Sequence, residues 1–174
     1  PGELAGNHFT VTLSEVRDVE DVLKRLESIS QTGIPNYFGS QRFGNQGNNL
    51  DEARRWGREN VRTRNQNKRS LLLSAARSWI FNNILSARIE QGLFDQVVEG
   101  DIIDTASGQS LVDAEHIQSA ADQVAKGSAA LTAAMAGDNQ LPTQARALEL
   151  EQPHLDNEPD LMALIRGNRM RHDR

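Results

Sequence analysis

Residues 33 to 44 read GIPNYFGSQRFG, and the reading of this stretch decides what the rest of the chain is for. Proline fixes φ and glycine reaches positive φ without a Cβ clash, so turn chemistry accounts for Gly33, Pro35, Gly39 and Gly44. It does not account for Tyr37, Phe38 and Phe43, which are bulky for a connection and costly to leave in water. Two readings of Phe38 stand side by side. Aromatics prefer the interior, which favours a core plug; an aromatic beside tightly turned backbone also makes a platform on which a planar base can stack, worth about 1 to 3 kcal/mol per base. Asn36 either orders the turn or presents its amide to a catalytic group or base edge, and Gln41 and Arg42 share that ambiguity.

Working outward, residues 7 to 14, NHFTVTLS, alternate polar and apolar, and the alternation predicts a half-buried strand with Phe9, Val11 and Leu13 on one face. From Asp18 the period changes: Val19, Val22, Leu23, Leu26 and Ile29 predict a helix capped by Asp18 and stopped by Gly33. After the loop, Asn49 with Glu52 three positions on has the form of a capping box, opening a short helix through Trp56. A basic connection leads into the strongest helical pattern, about residues 69 to 90, with Leu72, Leu73, Ala76, Trp79, Ile80, Ile84 and Ala87 in its stripe. Both tryptophans fall on helical faces and read as core residues.

Short β-branched runs broken by Gly100 and Gly108 predict small strands or a hairpin within residues 97 to 112. Asp113 caps a helix to about Lys126, Thr143 opens another, and Pro159 begins the last. Strands and helices in this order give an α+β fold, with its likeliest division at the basic linker near residue 62.

The formal net charge of -5 hides an asymmetry: residues 1 to 89 carry 13 basic and 9 acidic side chains, residues 90 to 174 carry 6 and 15. Seven cations lie between Arg54 and Arg69 (Arg54, Arg55, Arg58, Arg62, Arg64, Lys68 and Arg69) with Glu59 as the one acid among them. Such a run reads either as solvated surface or as a surface for a polyanion, since crowded like charges gain from neutralising phosphates. All eight aromatics precede residue 95, so the second half must build its core from aliphatic side chains.

The chain has no cysteine, which removes disulfides, thiolate nucleophiles and cysteine zinc sites. His8, His116, His154 and His172 lack metal-ligand spacing, so no metal is expected. No phosphate loop, dinucleotide fingerprint or Ser/His/Asp arrangement is present. Asp18, Asp21, Asp51 and Asp101 all stand where caps or turns want them. With no apolar run of spanning length and no signal peptide, an intracellular protein is expected; Pro1 in place of an initiator Met suggests a fragment.

At Asn36-Tyr37-Phe38-Gly39-Ser40-Gln41-Arg42-Phe43-Gly44 the chain resembles the TruD family of tRNA pseudouridine synthases, matching its active-site signature at nine positions. LAGNHFTVTL (residues 4 to 13) resembles the family's strand, and Arg64, Asn65, Lys68, Arg69, Ser74 to Ser78 and Phe81 resemble its following helix. The likeness weakens after residue 95. It implies an enzyme that isomerises a D-stem uridine of tRNA, at position thirteen, without metal or other cofactor, in the cytoplasm. It also implies that residues 1-61 belong to the catalytic domain and 62-174 to a mainly helical insertion domain, incomplete at its C-terminus. Asn36 and Phe38 would support the active site and hold the base, with Gln41, Arg42, Arg64, Lys68, Arg69 and Arg77 contacting tRNA. The family's catalytic aspartate lies in a Gly-x-Lys-Asp motif absent here, so no catalytic residue is assigned to this chain; that residue and the strands completing the catalytic sheet would come from N- and C-terminal segments of the same enzyme. The rival reading is a non-catalytic RNA-binding module; a protein-interaction scaffold draws only on the acidic half.

Overall fold

The computed structural model describes residues 7-174, which divide into two compact units, one ending at Pro35 and the other running from Asn36 to Arg174. The first holds one helix, α1 (Val19–Thr32), starting and stopping as its sequence predicts: Asp18 Oδ1 accepts the Asp21 N–H at 2.9 Å, and Gly33 closes the last turn. Its apolar stripe remains exposed, Val19 and Leu23 at 60% and 59%.

The strand predicted over residues 7 to 14 does not form; Phe9 and Val11 are 80% and 76% exposed. The alternation is present, but a strand exists only as a rung of a ladder, and no described segment of this unit offers an edge to pair with. Leu4 to Gly6 of the LAGNHF match lie outside the described residues.

The second unit runs α2 (Asn48–Glu59), α3 (Gln66–Glu90), β1 (Ile102–Thr105), β2 (Gly108–Leu111), α4 (Ile117–Ala125), β3 (Ala129–Leu131), α5 (Ala145–Asp156) and α6 (Pro159–Gly167). Helices with a small antiparallel sheet make it α+β. The sheet order is β2-β1-β3, with Ile102 opposite Leu111 and Ile103 opposite Leu131. Asp113 accepts the N–H groups of Glu115 and His116, so the turn it orders precedes α4 rather than belonging to it. β3 falls between the helix predicted to end near Lys126 and the one predicted to open at Thr143, a stretch to which the sequence assigned no element.

One apolar core joins α2, α3, α5 and α6 through Leu50, Ala53, Trp56, Leu72, Ile80 and Leu161, with neighbours of the same kind. A smaller one lies under the sheet and α4 around Val97, Ile103, Val112 and Ala120. Trp56 is buried and Trp79 half-buried against the larger core, as their helical spacing predicts.

Two helix starts differ from the sequence reading. Residue 47, a glycine with φ 80°, is the cap of α2, which places Asn49 and Glu52 inside the helix. No capping box forms because Glu52 is drawn instead to Lys68, 2.6 Å away. Thr143 does not cap α5; it is buried and donates its hydroxyl to Glu151 at 2.9 Å. Glu151 also pairs with Arg174 at 2.6 Å and accepts the Ala134 N–H, a buried ion pair with its lone pairs satisfied.

A second buried pair, Arg88 with Asp101 at 2.7 Å, ties the end of α3 to the start of the sheet. The Arg88 guanidinium also donates to the carbonyls of Leu93 and Gln96, and Asp101 accepts the Val98 N–H. Among the described residues no helix is long and apolar enough to cross a membrane.

Helices α2 and α6 meet backbone to backbone at Gly57, where an added Cβ would stand 1.7 Å from the Asp160 carbonyl oxygen. Gly57→Ala must therefore push the helices apart, and urea unfolding should show a loss of about 2 to 3 kcal/mol, at the upper end of overpacking costs. Gly39→Ala, with negative φ and nothing within 4 Å of its new methyl, should stay within about 0.5 kcal/mol.

Candidate functional site

Residues 36 to 39 run extended into a 3₁₀ turn, Ser40–Phe43, closed by Gly44. Gly44 takes φ 80° and faces the Asn49 side chain so closely that a Cβ there would lie 2.8 Å from its Cγ. Glycine is required at this corner on both counts.

The three aromatics of the loop have separate tasks. Phe43 is the plug: it packs on the larger core and meets Trp79 edge to face at 5.8 Å. Tyr37 is 43% exposed, its hydroxyl 2.9 Å from Ser86 Oγ on α3. Phe38 is half-buried and meets Phe81 edge to face at 5.4 Å, while the Arg42 guanidinium stands over its ring at 5.4 Å. Arg42 also donates to Ser74 Oγ at 2.9 Å.

The backbone of Phe38 is held at two points. Its N–H donates to Asn82 Oδ1 at 3.0 Å, and its carbonyl accepts from Asn82 Nδ2 at 2.9 Å. Hydrogen bonds of this kind contribute about 0.5 to 1.5 kcal/mol each. Together they offset the roughly 1 to 2 kcal/mol that ordering one backbone residue costs, so the loop is held on α3 rather than merely passing over it.

Tyr37, Phe38, Gly39, Gln41, Arg42 and Leu71 line an open cleft of about 480 Å³. This lining contains no carboxylate. A second cleft, about 430 Å³, follows the same helix past Ser74, Ser70, Gln66, Arg69 and Arg77 to Met135 and Met170. The Arg42–Ser74 bond stands between the two. Arg69 also borders a third, smaller hollow beside Arg62, Asn60 and Asn168.

The site residues named from the sequence are thus partly gathered. Phe38, Gln41 and Arg42 share one cleft, and Arg69 and Arg77 share the next. Asn36 and Arg64 are exposed and line neither. Lys68 is turned toward α2, paired with Glu52 and standing 5.6 Å from the Trp56 ring centroid. That pairing, chiefly the hydrogen bond from Lys68, holds the Glu52 carboxyl below its ordinary range. Arg77 donates to the backbone carbonyls of Ala136, Met135 and Arg171, so its guanidinium secures a loop along the wall of the cleft.

The basic run is largely matched from within. Arg54 grips Glu158 through two bonds, 3.1 and 2.7 Å; Arg58 reaches Asp160 at 2.8 Å; Arg55 lies between Glu52 and Glu59. The acidic second half therefore supplies partners to the basic first half across α2 and α6. Arg62 and Arg64 are exposed, and among the described residues neither makes an ion pair. No group of three or more His, Asp or Glu among the described residues could hold a metal ion.

Asn82 and Ser86 escaped the sequence reading. A signal for them exists: Ser70, Ser74, Ser78, Asn82 and Ser86 recur every fourth position through a helix otherwise rich in apolar residues. Ser74, Asn82 and Ser86 all bond to the loop.

A family model described as tRNA pseudouridine synthase D (TruD) matches residues 1–52 and 48–161. A tRNA pseudouridine synthase D of Vibrio campbellii is 71% identical over 174 residues, covering 100% of this chain and 50% of that protein. Its counterpart in Vibrio cholerae strain O395 is 63% identical over 175 residues, covering 100% and 48%. The chain spans about half the length of the curated relatives it matches. The crystal structure of a TruD protein from Methanosarcina mazei superposes with a TM-score of 0.60 at 21% identity, over 82% of this chain and 53% of that one, a likeness of fold.

Glu158 sets a pH dependence. Burial pushes its carboxyl up, but hydrogen bonds from Arg54 and Trp79 and the Arg54 charge together outweigh burial and hold it below its ordinary value of 4.5. The unfolded chain takes up this proton at higher pH than the folded one, so the stabilisation is present above about pH 4.5 and is lost as pH falls through the folded value. Urea midpoints measured from pH 6 down to pH 3 should fall along this limb, and Glu158→Gln should make the fall shallower (about pH 4.5 and below being the window).

Proposed function

The chain belongs to the TruD family, and from that premise we propose that it works as part of a tRNA pseudouridine synthase acting in the cytoplasm on uridine thirteen of the D stem. The observation that supports this most is the signature loop held against α3, with Phe38 half-exposed in an open cleft and a planar guanidinium over its ring. A flipped uracil is likewise planar. Stacking it on Phe38 offsets part of the few kcal/mol that extrusion from the helix costs. Asn36 stands exposed two residues before Phe38, outside the lining of the cleft, and reaches the base only if its side chain turns inward.

In this reading the glycosidic bond of the uridine is cleaved with help from an aspartate, and the base is turned and rejoined through C5. No metal or other cofactor takes part. The aspartate comes from outside this chain. Supporting that is the cleft lining, which lacks a carboxylate, while four of the chain's aspartates are committed elsewhere: Asp18 caps α1, Asp21 pairs with Arg25, Asp101 with Arg88 and Asp160 with Arg58. The division into a catalytic part, residues 1-61, and an insertion part, residues 62-174, then falls between α2 and α3, inside the second compact unit, where these two helices share a core.

Gln41, Arg42, Arg69 and Arg77 line the clefts through which the tRNA would run, with Arg62, Arg64 and Lys68 at one end. Among the described residues Arg62 and Arg64 have neither an ion pair nor a side-chain hydrogen bond to break before phosphates engage them. Lys68 must first release Glu52, which makes its contribution smaller. A non-catalytic RNA-binding module would use the same basic surface and could stack a base on Phe38 as well, so formation of product is what separates the two readings.

The direct test incubates the full-length enzyme with an unmodified tRNA transcript and maps pseudouridine by carbodiimide labelling and primer extension. Product at uridine thirteen supports the proposal; none, or product confined to another stem, contradicts it. In the same enzyme Arg62→Glu with Arg64→Glu should weaken tRNA binding and reduce the slope of log affinity against log salt by about one to two, one for each phosphate no longer neutralised. Lys68→Glu should change both by less.

A further inference from the structure

Asn82 lies within α3, half-buried, at a position where helix propensity alone would favour an aliphatic residue such as Ala or Leu. Both of its polar atoms are committed to one residue of the loop. Its Oδ1 takes the Phe38 N–H at 3.0 Å and its Nδ2 gives to the Phe38 carbonyl at 2.9 Å. This pairing has the form of a single rung of a strand ladder, with a side-chain amide in place of the neighbouring strand. One such bond would leave the segment free to turn about it. Two fix the Cα of Phe38 and the direction in which its Cβ leaves the chain.

The neighbours complete the hold. Phe81, adjacent on the helix, meets the Phe38 ring edge to face at 5.4 Å, and Ser86 and Ser74 engage Tyr37 and Arg42 on either side. Of these, Asn82 alone binds the Phe38 backbone, and the cleft's lining does not include it. It engages the loop at Phe38 and lies outside the lining of the cleft proposed for the base.

We infer that Asn82 is a positioning residue for the proposed reaction: its carboxamide sets the height and tilt of the Phe38 ring in the cleft that holds the uracil. The inference rests on the reading of Phe38 as the base-holding ring. An asparagine serves where aspartate does not. Aspartate would still accept the Phe38 N–H, but it would set a second acceptor against the Phe38 carbonyl, opposing oxygen to oxygen.

The test uses the full-length enzyme and an unmodified tRNA transcript under single-turnover conditions, with Asn82→Ala, the near-isosteric Asn82→Asp, Phe38→Ala and the double variant Phe38→Ala/Asn82→Ala. Asn82→Ala should lower the rate constant at saturating enzyme by about 10- to 100-fold, the scale of a misplaced reacting group, with the tRNA Kd within about threefold of wild type. Asn82→Asp should lower it at least as far. In the Phe38→Ala background, Asn82→Ala should cost less than about threefold, because the ring it positions is gone.

Wild-type rates in both Asn82 variants would overturn the inference, as would a raised Kd with an unchanged rate constant, or an undiminished Asn82→Ala penalty in the Phe38→Ala background. If Phe38→Ala itself keeps the wild-type rate, the base-holding reading falls and this inference with it. If Phe38→Ala is impaired while the Asn82 variants are not, this inference alone falls. Should Asn82→Ala fail to fold, Asn82→Asp carries the comparison; failure of both to fold would assign the residue to stability and equally overturn the proposal.

Discussion

Helix α3 has to satisfy three neighbours along 25 residues, and that constraint organises everything from residue 36 onward. One set of its side chains, Leu72, Ala76, Ile80 and Ile84 among them, is buried in the core shared with α2, α5 and α6. Its C-terminal end is bound by Arg88 to Asp101 and so to the sheet. The remaining surface is left with serines, Asn82 and Phe81, and these hold the signature loop. A shift of the helix to improve one contact would degrade the others. The loop inherits its position from a packed core rather than from its own turn chemistry, which is what a base-holding aromatic needs.

Charge follows a similar division. Opposite net charges in the two halves of the sequence suggested a polyanion partner for the basic half. Much of the imbalance is resolved inside the fold instead, where Arg54, Arg58 and Arg88 meet Glu158, Asp160 and Asp101. Glu158 is 16% exposed, Asp101 1%. The Arg88–Asp101 pair is desolvated enough that removing one partner leaves a charge without compensation, a cost of about 3 to 5 kcal/mol, whereas water reaches Arg54 and, more fully, Arg58, and the cost there is less. What remains for an RNA is a narrower set of cations at the N-terminal end of α3 and along its clefts. Counting basic residues overstated that surface; asking which already have partners reduces it.

Helices were legible because their signals are local. The spacing of Val19 to Ile29, the stripe from Leu72 to Ala87 and the proline at 159 each settled an element without reference to the rest of the chain. Elements whose signals depend on a distant partner were not. The alternation at Phe9, Val11 and Leu13 reads as a strand, yet no described segment of its unit pairs with it. Glu52 fits a capping box until Lys68 claims it, and Thr143 fits a cap until Glu151 does. At the site, the aromatic loop drew attention by its composition, and the family signature supplied a reason. Its anchor was hidden because Asn82 is ordinary by propensity and lies 44 positions from the residue it holds.

The central claim is that the loop is held in place by α3 before any RNA arrives. Native-state hydrogen exchange of the Phe38 amide in the full-length enzyme without tRNA tests this directly. Exchange slowed by about 5- to 12-fold relative to an open peptide is expected, as a hydrogen bond of about 1 to 1.5 kcal/mol requires. Exchange at the open-peptide rate, with the amides of α3 still protected, would contradict it.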